Sequence, residues 1–335
     1  MLDKQAVFDL IAIGRSSMDL FAEQVGADFE AVESFSAYVG GSPSNIAVGS
    51  SRLGLKVALL TAVGEDKVGD FIFRRLAENG VDTQYSVRKG GRSSLALVAI
   101  KPPSHFPLVF YRESAPDKLI SAQDVLALPF KNTKALILSG TGFSSDSPIQ
   151  RDAHLVALTE AKKAGLSCYL DLDLRPDQWS SPGAYRLNLE LLMDKFDVIF
   201  GTEEEFYALL VPDAQPFKAS LDSLEKEKLR EALGVYVEEH GEQVVILKRG
   251  GRGSSLHHQN HTIHQPAFNI NLLSTVGAGD TFASSFIYQQ LKGATLQESL
   301  KFASAAAAIV VSRHGCAAAM PYLEEVKDFL LHHHA

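Results

Sequence analysis

The chain has 335 residues, of which 46% are hydrophobic and 21% charged, a composition typical of globular proteins with a sizeable core. Its formal net charge of −8 disfavours a nucleic-acid or anionic-membrane partner, so an anionic ligand would need local positive charge. No apolar run reaches ~18 residues, and we expect no membrane span. The N-terminal residues show no signal-peptide pattern, and Cys168 and Cys316 provide no disulfide framework. We therefore expect structural thiols in a cytoplasmic protein.

The apolar run over residues 8–14 ends in glycine and predicts a buried strand. Asp19 follows five residues later. Open α/β sheets bind ligands beyond the carboxyl ends of their strands, so Asp19 is a candidate for accepting hydrogen bonds from substrate hydroxyls. The alternative is an ordinary loop aspartate.

A pair of glycines, Gly40 and Gly41, separates a predicted strand over 34–39 from a predicted helix over 44–53. Paired glycines let the backbone approach a ligand closely. The amide of Asn45 both donates and accepts hydrogen bonds, which suits sugar hydroxyls. The alternative is a loop that only caps the helix.

The next segments alternate between a buried strand over 55–63 and a helix over 68–79, which predicts βαβ units and a parallel sheet. Two β-rich segments within 93–112 then interrupt this alternation around the proline-rich residues 101–107. We expect antiparallel strands that join residues 35–39 in a small sheet outside the main one, forming a lid.

Two arginines are candidates for binding an acidic group. Arg112 ends the second lid segment, where a bidentate contact with a bound acid is one interpretation. A solvated charge that protects an edge strand is the alternative. Arg175 follows the predicted strand over 167–172 and is held extended by Pro176, so it faces the same ligand-binding edge.

A short predicted strand over 198–201 leads into Thr202 and Glu205, whose spacing is typical of a helix capping box. The alternative is that Glu205 organises Mg²⁺ through water. A later predicted strand over 243–248 ends at Lys248. It leads into a glycine-rich turn that contains Gly250 and Gly253, near an edge suited to phosphate.

Four histidines follow this turn, and we interpret their alternation about Gln259 and Asn260 as an exposed hairpin rather than a metal site; they are His257, His258, His261 and His264. The closing residues 332–334 are three further histidines, either native or the remnant of a tag.

Residues 271–286 form the most informative stretch. Gly277, Ala278 and Gly279 precede an apolar helix predicted over 280–291, with the Asp280 carboxylate in its first turn. The free amides of such a helix start attract anions. Asp280 could then take a proton from a hydroxyl that attacks a phosphoryl group, while the amides stabilise the developing charge. The alternative is a helix cap.

Two common nucleotide-binding motifs are missing from the sequence. No G-x-x-x-x-G-K-[ST] motif occurs, which excludes a P-loop protein. The glycine-rich stretch has Ala283 at or near the place of the third glycine of a dinucleotide-binding fingerprint, so an oxidoreductase fits poorly.

These motifs resemble the ribokinase-like (PfkB) carbohydrate kinase family. Residues 40–54 resemble its N-terminal signature and residues 274–280 its C-terminal signature, in the expected order, and the resemblance covers roughly residues 7–325. It implies an α/β three-layer sandwich with a central, mostly parallel sheet flanked by helices, plus a small β-sheet lid. It also implies one kinase domain over residues 1–335, with lid strands within 15–40 and 92–115.

The resemblance assigns a role to each candidate residue. It implies that Asp280 is the catalytic base and that the amides of residues 277–279 form an anion hole. ATP and Mg²⁺ are the implied cofactors, with a monovalent cation as a further candidate, and a homodimer through the lid is the implied assembly. The residues implied to contact the sugar are Asp19, Gly40, Gly41 and Asn45. Those implied to contact the nucleotide are Lys248, Gly250, Gly253, Thr275 and the region after Ser304. Glu205 is implied to hold the water shell of Mg²⁺.

Two residues depart from the family pattern. The family often has Asp where Ser274 stands, which predicts a different tether for the anion-hole loop. It often has Asn where Thr202 stands, beside the candidate Mg²⁺ corner.

Several stretches, at residues 14–20, 38–47, 172–179 and 201–206, most resemble the 5-dehydro-2-deoxygluconokinases of inositol breakdown. Tyr111-Arg112 resembles the acid-binding lid of 2-keto-3-deoxygluconate kinases. Both groups act on sugar acids, whose carboxylate Arg112 and Arg175 would bind. We expect ATP-dependent phosphorylation of 5-dehydro-2-deoxy-D-gluconate to its 6-phosphate. The alternatives are a 2-keto-3-deoxygluconate kinase, a fructokinase, or a catalytically silent sugar-binding regulator.

Overall fold

The computed structural model describes residues 7–101, 107–212, 214 and 220–333. The proline-rich tip of the predicted lid at 102–106, part of the polar segment near 213–219, and His334 lie outside the described residues.

The main sheet has eight strands in the order β14-β13-β12-β11-β10-β9-β1-β4. The six strands from β12 to β4 are parallel, and β13 and β14 add an antiparallel hairpin at one edge. The fourteen strands within the described residues are β1 (Phe8–Ile13), β2 (Ser17–Ala22), β3 (Phe35–Gly40), β4 (Val57–Leu60), β5 (Ala62–Val63), β6 (Val87–Arg88), β7 (Ser94–Val98), β8 (Leu108–Tyr111), β9 (Thr133–Ser139), β10 (Ser167–Asp171), β11 (Val198–Thr202), β12 (Val244–Lys248), β13 (Ser254–His258) and β14 (His261–Gln265).

Helices cover both faces of this sheet, which confirms the three-layer prediction. Helices α1, α2, α8, α9 and α10 pack on one face, and α3 to α7 on the other. Across the described ranges the helices are α1 (Ser42–Arg52), α2 (Lys67–Glu78), α3 (Ala122–Leu126), α4 (Pro148–Ala164), α5 (Pro182–Glu190), α6 (Glu203–Leu210), α7 (Ser223–Glu239), α8 (Ala278–Leu291), α9 (Leu296–Val311) and α10 (Leu323–His332).

The parallel strands are nearly continuous apolar runs because both faces of the sheet are buried. Along β1, Ile11 and Ile13 pack into the core under α3 to α7, while Leu10 and Ala12 pack into the opposite core. The chain continues from β1 to β4 on one side and later to β9 on the other. This reversal of strand order opens a crevice beyond the carboxyl end of β1, where ligands bind in open α/β sheets.

The lid is a separate four-stranded sheet in the order β3-β2-β7-β8. The β2–β3 and β7–β8 pairs are antiparallel, as expected, but β2 and β7 pair in parallel. Asp19 lies in β2, so the alternative of an ordinary loop aspartate is wrong. Ser17, Asp19 and Phe21 all face a buried side of this strand, with the alternation of a half-buried strand.

The exposed hairpin is confirmed. Gln259 and Asn260 turn between β13 and β14 with φ of 47° and 61°, the left-handed conformation that tight two-residue hairpin turns require. Among the described residues, no group of three or more His, Cys, Asp or Glu side chains is arranged to hold a metal ion. Within the same ranges, none of the helices is long and apolar enough to cross a membrane.

Candidate active site

A cavity of about 390 Å³ lies where the lid meets the carboxyl ends of the main strands. The main sheet contributes Asp171 and Lys248, the lid contributes Asp19 and Phe110, and the start of α8 contributes Asp280. We call this space the acceptor cavity. Its polar wall and its apolar lid face fit a small polyhydroxylated molecule.

Asp280 lies in the first turn of α8, and its carboxylate accepts a hydrogen bond from Asn45 Nδ2 at 2.7 Å. Burial, reinforced by the nearby carboxylates of Asp171 and Asp173, raises its pKa to about 6. The helix is capped at Gly277, so the interpretation of Asp280 as a cap is wrong. A carboxylate that is ionised at neutral pH yet unusually basic is suited to general-base chemistry.

The loop before α8 is shaped by Gly277, whose φ is 81° and whose added Cβ would lie 2.6 Å from Cys316 Sγ. The amide of Ala278 donates to the Thr275 carbonyl oxygen at 3.2 Å, and Ala278 lines a second cavity rather than the first. Gly277 and Gly279 line the acceptor cavity and are the better placed members of the predicted anion hole.

Ser274 tethers this loop through its hydroxyl, which accepts a hydrogen bond from the Val276 amide at 3.2 Å. The loop is therefore held by a hydrogen bond between two of its own residues. The side chain in that bond is neutral, at a position where the family often has a carboxylate.

The two predicted sugar-binding glycines occupy different places. Gly41, with φ of 94°, starts α1 and lines the acceptor cavity, and an added Cβ would lie 2.6 Å from the Arg15 carbonyl oxygen. Gly40 lies against the carboxylate of Asp19, where a side chain would overlap that group. Gly40 therefore makes room for Asp19 and is not among the residues that line the cavity.

Asn45 on α1 connects the N-terminal part of the site to Asp280 on α8. Its Nδ2 donates to Asp280 and lies 3.1 Å from Cys316 Sγ. Among the residues the structure describes, its buried Oδ1 has no hydrogen-bond partner, and Asn45 is one of the residues that line the acceptor cavity. Cys316, expected to be a structural thiol, is buried but also lines this cavity.

Asp19 is buried in the lid and accepts a hydrogen bond from Ser17 Oγ at 2.6 Å. Burial raises the pKa of Asp19 to about 6, although Arg15 and Arg175 oppose the shift. Asp19 lies on the cavity wall, and its contact with substrate hydroxyls stays a prediction.

The two predicted arginines have different carboxylate partners, and one of the two lines the cavity. Arg175 lines the cavity, and its Nε lies 3.0 Å from Asp173 Oδ1. Arg112 lies just after β8, is only 9% exposed, and pairs with Asp117 at 2.6 Å. The solvated-charge interpretation of Arg112 is therefore wrong, and this pairing keeps its guanidinium off the cavity wall.

Arg15 is a site residue that the sequence reasoning did not select. It follows Gly14, the first residue after β1, which places its side chain at the ligand-binding edge. Its guanidinium donates to Thr141 Oγ1 at 3.0 Å and pairs with Asp173 Oδ2 at 2.9 Å. Its place beyond the carboxyl end of a predicted central strand was the available signal.

Asp171, the last residue of β10, was also missed, although the same signal applied to it. Its Oδ1 lies 2.9 Å from Lys248 Nζ. Burial alone would lower the pKa of Lys248, but Asp171 and Glu205 raise it, so the ammonium group stays charged. Lys248 is thus a fixed positive charge between strands β10 and β12.

The capping box at the start of α6 is confirmed. Thr202 Oγ1 accepts from the Glu205 amide, and Glu205 Oε2 accepts from the Thr202 amide at 2.7 Å. The other oxygen accepts from the Leu174 amide at 2.9 Å, and burial raises the pKa of Glu205. Because main-chain amides occupy both oxygens, Glu205 is better suited to holding a metal's water shell than to binding a metal directly.

A second cavity of about 490 Å³ adjoins the first. Its wall includes the glycine turn with Gly250 and Gly253, the side chain of Phe282, and Ser304 on α9. Gly250 and Gly253 have φ of 55° and 79°, so the turn depends on glycine. The two cavities share three lining residues, which are Lys248, Thr275 and Gly279.

Sequence comparison identifies the family. Residues 7–323 match the model of the family described as pfkB family carbohydrate kinase. A 5-dehydro-2-deoxygluconokinase from Geobacillus thermodenitrificans (strain NG80-2) is 34% identical over 333 residues, covering 98% of this chain and 95% of the relative. A protein of the same name from Shouchella clausii (strain KSM-K16) is 36% identical, covering 98% and 97%.

Solved structures agree in fold. A putative ribokinase II from E. coli superposes in its apo form with a TM-score of 0.84 at 25% identity, covering 97% of this chain and all of the other. Its complex with ATP and Mg²⁺ gives a TM-score of 0.82. A fructokinase from Vibrio cholerae O395 shares the fold, with a TM-score of 0.80 at 20% identity and coverage of 97% and 99%. This chain belongs to the pfkB family of carbohydrate kinases.

Proposed function

We propose that this protein transfers the terminal phosphoryl group of ATP to a sugar acid, 5-dehydro-2-deoxy-D-gluconate, giving the 6-phosphate in inositol catabolism. The observation that carries the proposal is the junction of the two cavities, with Asp280 on the acceptor side of their shared wall. The substrate is suggested by relatives that are 33–36% identical over nearly the whole chain and are named for it.

In this proposal Asp280 removes the proton of the acceptor's terminal hydroxyl as that oxygen attacks the phosphoryl group. The amides of Gly277 and Gly279, together with the positive end of α8, stabilise the charge that develops on the phosphoryl oxygens. Lys248, which lines both cavities, supplies a further positive charge at their junction.

The acceptor's hydroxyls are bound by Asp19, Asn45 and the backbone at Gly41, and its carboxylate by Arg175. Arg112 is proposed as an additional carboxylate ligand. Two of its buried nitrogens, Nε and Nη1, have no hydrogen-bond partner among the described residues, which supports such a role once the lid moves.

The second cavity is proposed to bind ATP, with the phosphates directed toward Gly250, Gly253 and Thr275. Mg²⁺ would neutralise phosphate charge, and Glu205 would hold the water shell of this ion. The variant Glu205→Gln should therefore raise the Mg²⁺ concentration at which the rate is half-maximal. A monovalent cation is proposed as well, since a fructokinase of the same fold was solved with a bound potassium ion.

A homodimer formed through the lid is proposed from the outer strand β8. Leu108, Val109 and Tyr111 on this edge strand are 43%, 40% and 54% exposed. The double variant Val109→Lys, Tyr111→Lys should be a monomer by light scattering, whereas Leu191→Lys, at an exposed leucine outside the lid, should remain a dimer. A monomeric wild type would contradict the proposal.

We also propose a single kinase domain over residues 1–335, located in the cytoplasm. The family model spans residues 7–323, and α1 from the first part of the chain packs against α8 from its last part. An ATP-dependent reaction and the two buried free cysteines suit a reducing, ATP-containing compartment.

The test is ADP release with MgATP over a panel of acceptors: 5-dehydro-2-deoxygluconate, 2-keto-3-deoxygluconate, fructose, ribose and adenosine. We expect the first to have the highest kcat/KM. A preference for 2-keto-3-deoxygluconate or fructose would retain the kinase and replace the substrate. No turnover with any acceptor, together with measurable sugar binding, would favour a silent sugar-binding regulator.

A further inference from the structure

Two arginines share a single carboxylate on the wall of the acceptor cavity. Arg15 Nη2 lies 2.9 Å from Asp173 Oδ2, and Arg175 Nε lies 3.0 Å from Asp173 Oδ1. All three side chains line the cavity. One carboxylate offsets only one of the two guanidinium charges, so these three side chains together carry a net positive charge. The other charged lining residues of the cavity are Asp19, Asp171, Glu205, Lys248 and Asp280.

Asp173 is fixed in an unusual conformation. Its φ of 37° is rare for a residue other than glycine, and such strain persists at sites that the surrounding structure holds in place. Ser139 Oγ donates to Asp173 Oδ2 at 3.0 Å. Burial alone would raise the pKa of Asp173, but Arg15 and Arg175 lower it, so this carboxylate stays ionised.

Arg15 is held more rigidly than Arg175. It is 6% exposed, and its Nη1 donates to Thr141 while its Nη2 pairs with Asp173. The side chain of Arg175 is 43% exposed. A guanidinium has five N–H donors, so these two contacts leave others for a ligand. Because its geometry is already fixed, Arg15 loses little conformational entropy on binding, and a buried charge-assisted contact is strong.

We propose that Arg15 is a specificity-determining residue that receives the acceptor's carboxylate together with Arg175, with Asp173 as the residue that positions both. This inference rests on the proposed sugar-acid function. Arg112 differs because its own carboxylate partner, Asp117, holds it away from the cavity wall.

The test compares each acid acceptor with its neutral analogue, in which the carboxylate is reduced to a primary alcohol. Losing one hydrogen bond to a charged group costs about 10- to 150-fold, so Arg15→Gln should lower kcat/KM for the acid by that factor. The same variant should change kcat/KM for the neutral analogue by less than about threefold. Arg15→Lys, which keeps the charge but not the planar fork, should recover part of the acid preference.

Arg52→Gln is the matched control. Arg52 is a partly buried arginine on α1, and its guanidinium donates to the carbonyl oxygens of Ala318 and Met320, outside the cavity. Its substitution should leave the ratio of acid to neutral kcat/KM unchanged.

The double variant Arg15→Gln, Arg175→Gln should lose less acid activity than the product of the two single losses, because both side chains bind one group. Independent losses, or an Arg15→Gln effect equal on acid and neutral acceptors, would overturn the inference. If Arg15→Gln does not fold, an equal effect of Arg15→Lys on both acceptors overturns it. A wild-type enzyme without acid preference would instead overturn the proposed function itself.

Discussion

At the scale of single residues, burial and ion pairing give neighbouring carboxylates different pKa values. Asp280 and Asp19 have no ion-pair partner within hydrogen-bonding distance among the described residues, and burial raises the pKa of each to about 6. Asp173 pairs with two arginines, and its pKa is lowered. The carboxylates best suited to accept a proton are therefore the two that no cation neutralises, and of these Asp280 lies in the first turn of α8.

Replacing the proposed base should strongly reduce turnover and preserve binding. Asp280→Asn keeps the shape of the side chain but cannot accept the hydroxyl proton, and loss of a general base costs about 10²- to 10⁴-fold in rate. We expect kcat to fall by that range, with Kd values for acceptor and MgATP by calorimetry within about threefold of wild type. Asp152→Asn, an exposed aspartate on α4, is the control. Unchanged turnover in Asp280→Asn would contradict the assignment.

The same substitution should stabilise the fold at high pH. The pKa of Asp280 is raised from 3.8 to about 6 in the folded protein, so folding favours its protonated form. The contribution of this residue to the free energy of unfolding is fully present below pH 3.8 and is lost as the pH rises through about 6. Removing the buried charge should add on the order of 2 kcal/mol to the free energy of unfolding at pH 8. The gain should shrink toward pH 4. Urea unfolding of both proteins at the two pH values measures it; a gain independent of pH would contradict the stated cause.

At the scale of elements, one side chain connects the main fold to the lid. Asp66 caps α2 by accepting from the Gly69 amide at 2.7 Å, and its other oxygen accepts from the Ser93 amide at 2.8 Å, just before β7. The carboxylate thus joins the start of a core helix to the first residues of a lid strand.

Asp66→Ala should therefore destabilise the protein more than loss of a cap alone. A lost cap costs about 1 kcal/mol, and the second unsatisfied amide adds a similar amount, giving roughly 2 kcal/mol in urea unfolding. Asp222→Ala is the matched control, because Asp222 caps α7, away from the lid. Equal losses in the two variants would show that the bond to Ser93 contributes nothing.

At the scale of the whole molecule, the acceptor cavity is closed by the central sheet and the lid sheet, which differ in the apolar packing that supports them. The central sheet packs between two extensive apolar clusters, one of which also includes Val39 of the lid strand β3. Within the described residues, the other apolar cluster to which the lid contributes is a small one around Phe21, Val98 and Ile100. The lid therefore has less apolar packing than the central sheet and should open locally more easily.

Binding of the acid acceptor should slow amide hydrogen exchange in the lid. Asp19 on β2 and Phe110 on β8 contact the cavity, so a bound ligand connects the lid to the main sheet. We expect protection to rise in β2, β7 and β8 and to stay unchanged in β9, which is already buried. Mass spectrometry with and without acceptor measures the change in protection. An equal change in β2, β7, β8 and β9 would contradict a separately mobile lid.

Local sequence patterns determined much of this architecture. Apolar runs, glycine positions and capping signals predicted the parallel sheet, most of its strands, the helix that carries Asp280 and the hairpin about Gln259 and Asn260. These features depend on neighbouring residues in the chain, so the sequence by itself specifies them. The position of Asp280 at a helix start beside a glycine-containing loop was predicted for the same reason.

The tertiary structure alone decided which charges meet. Arg15 and Lys248 lie far along the chain from Asp171 and Asp173, and the order of the strands from β1 to β12 in the sheet brings all four to one edge. Ion pairing depends on distances of a few ångströms between distant parts of the chain, and those distances are set by sheet topology and packing rather than by local pattern.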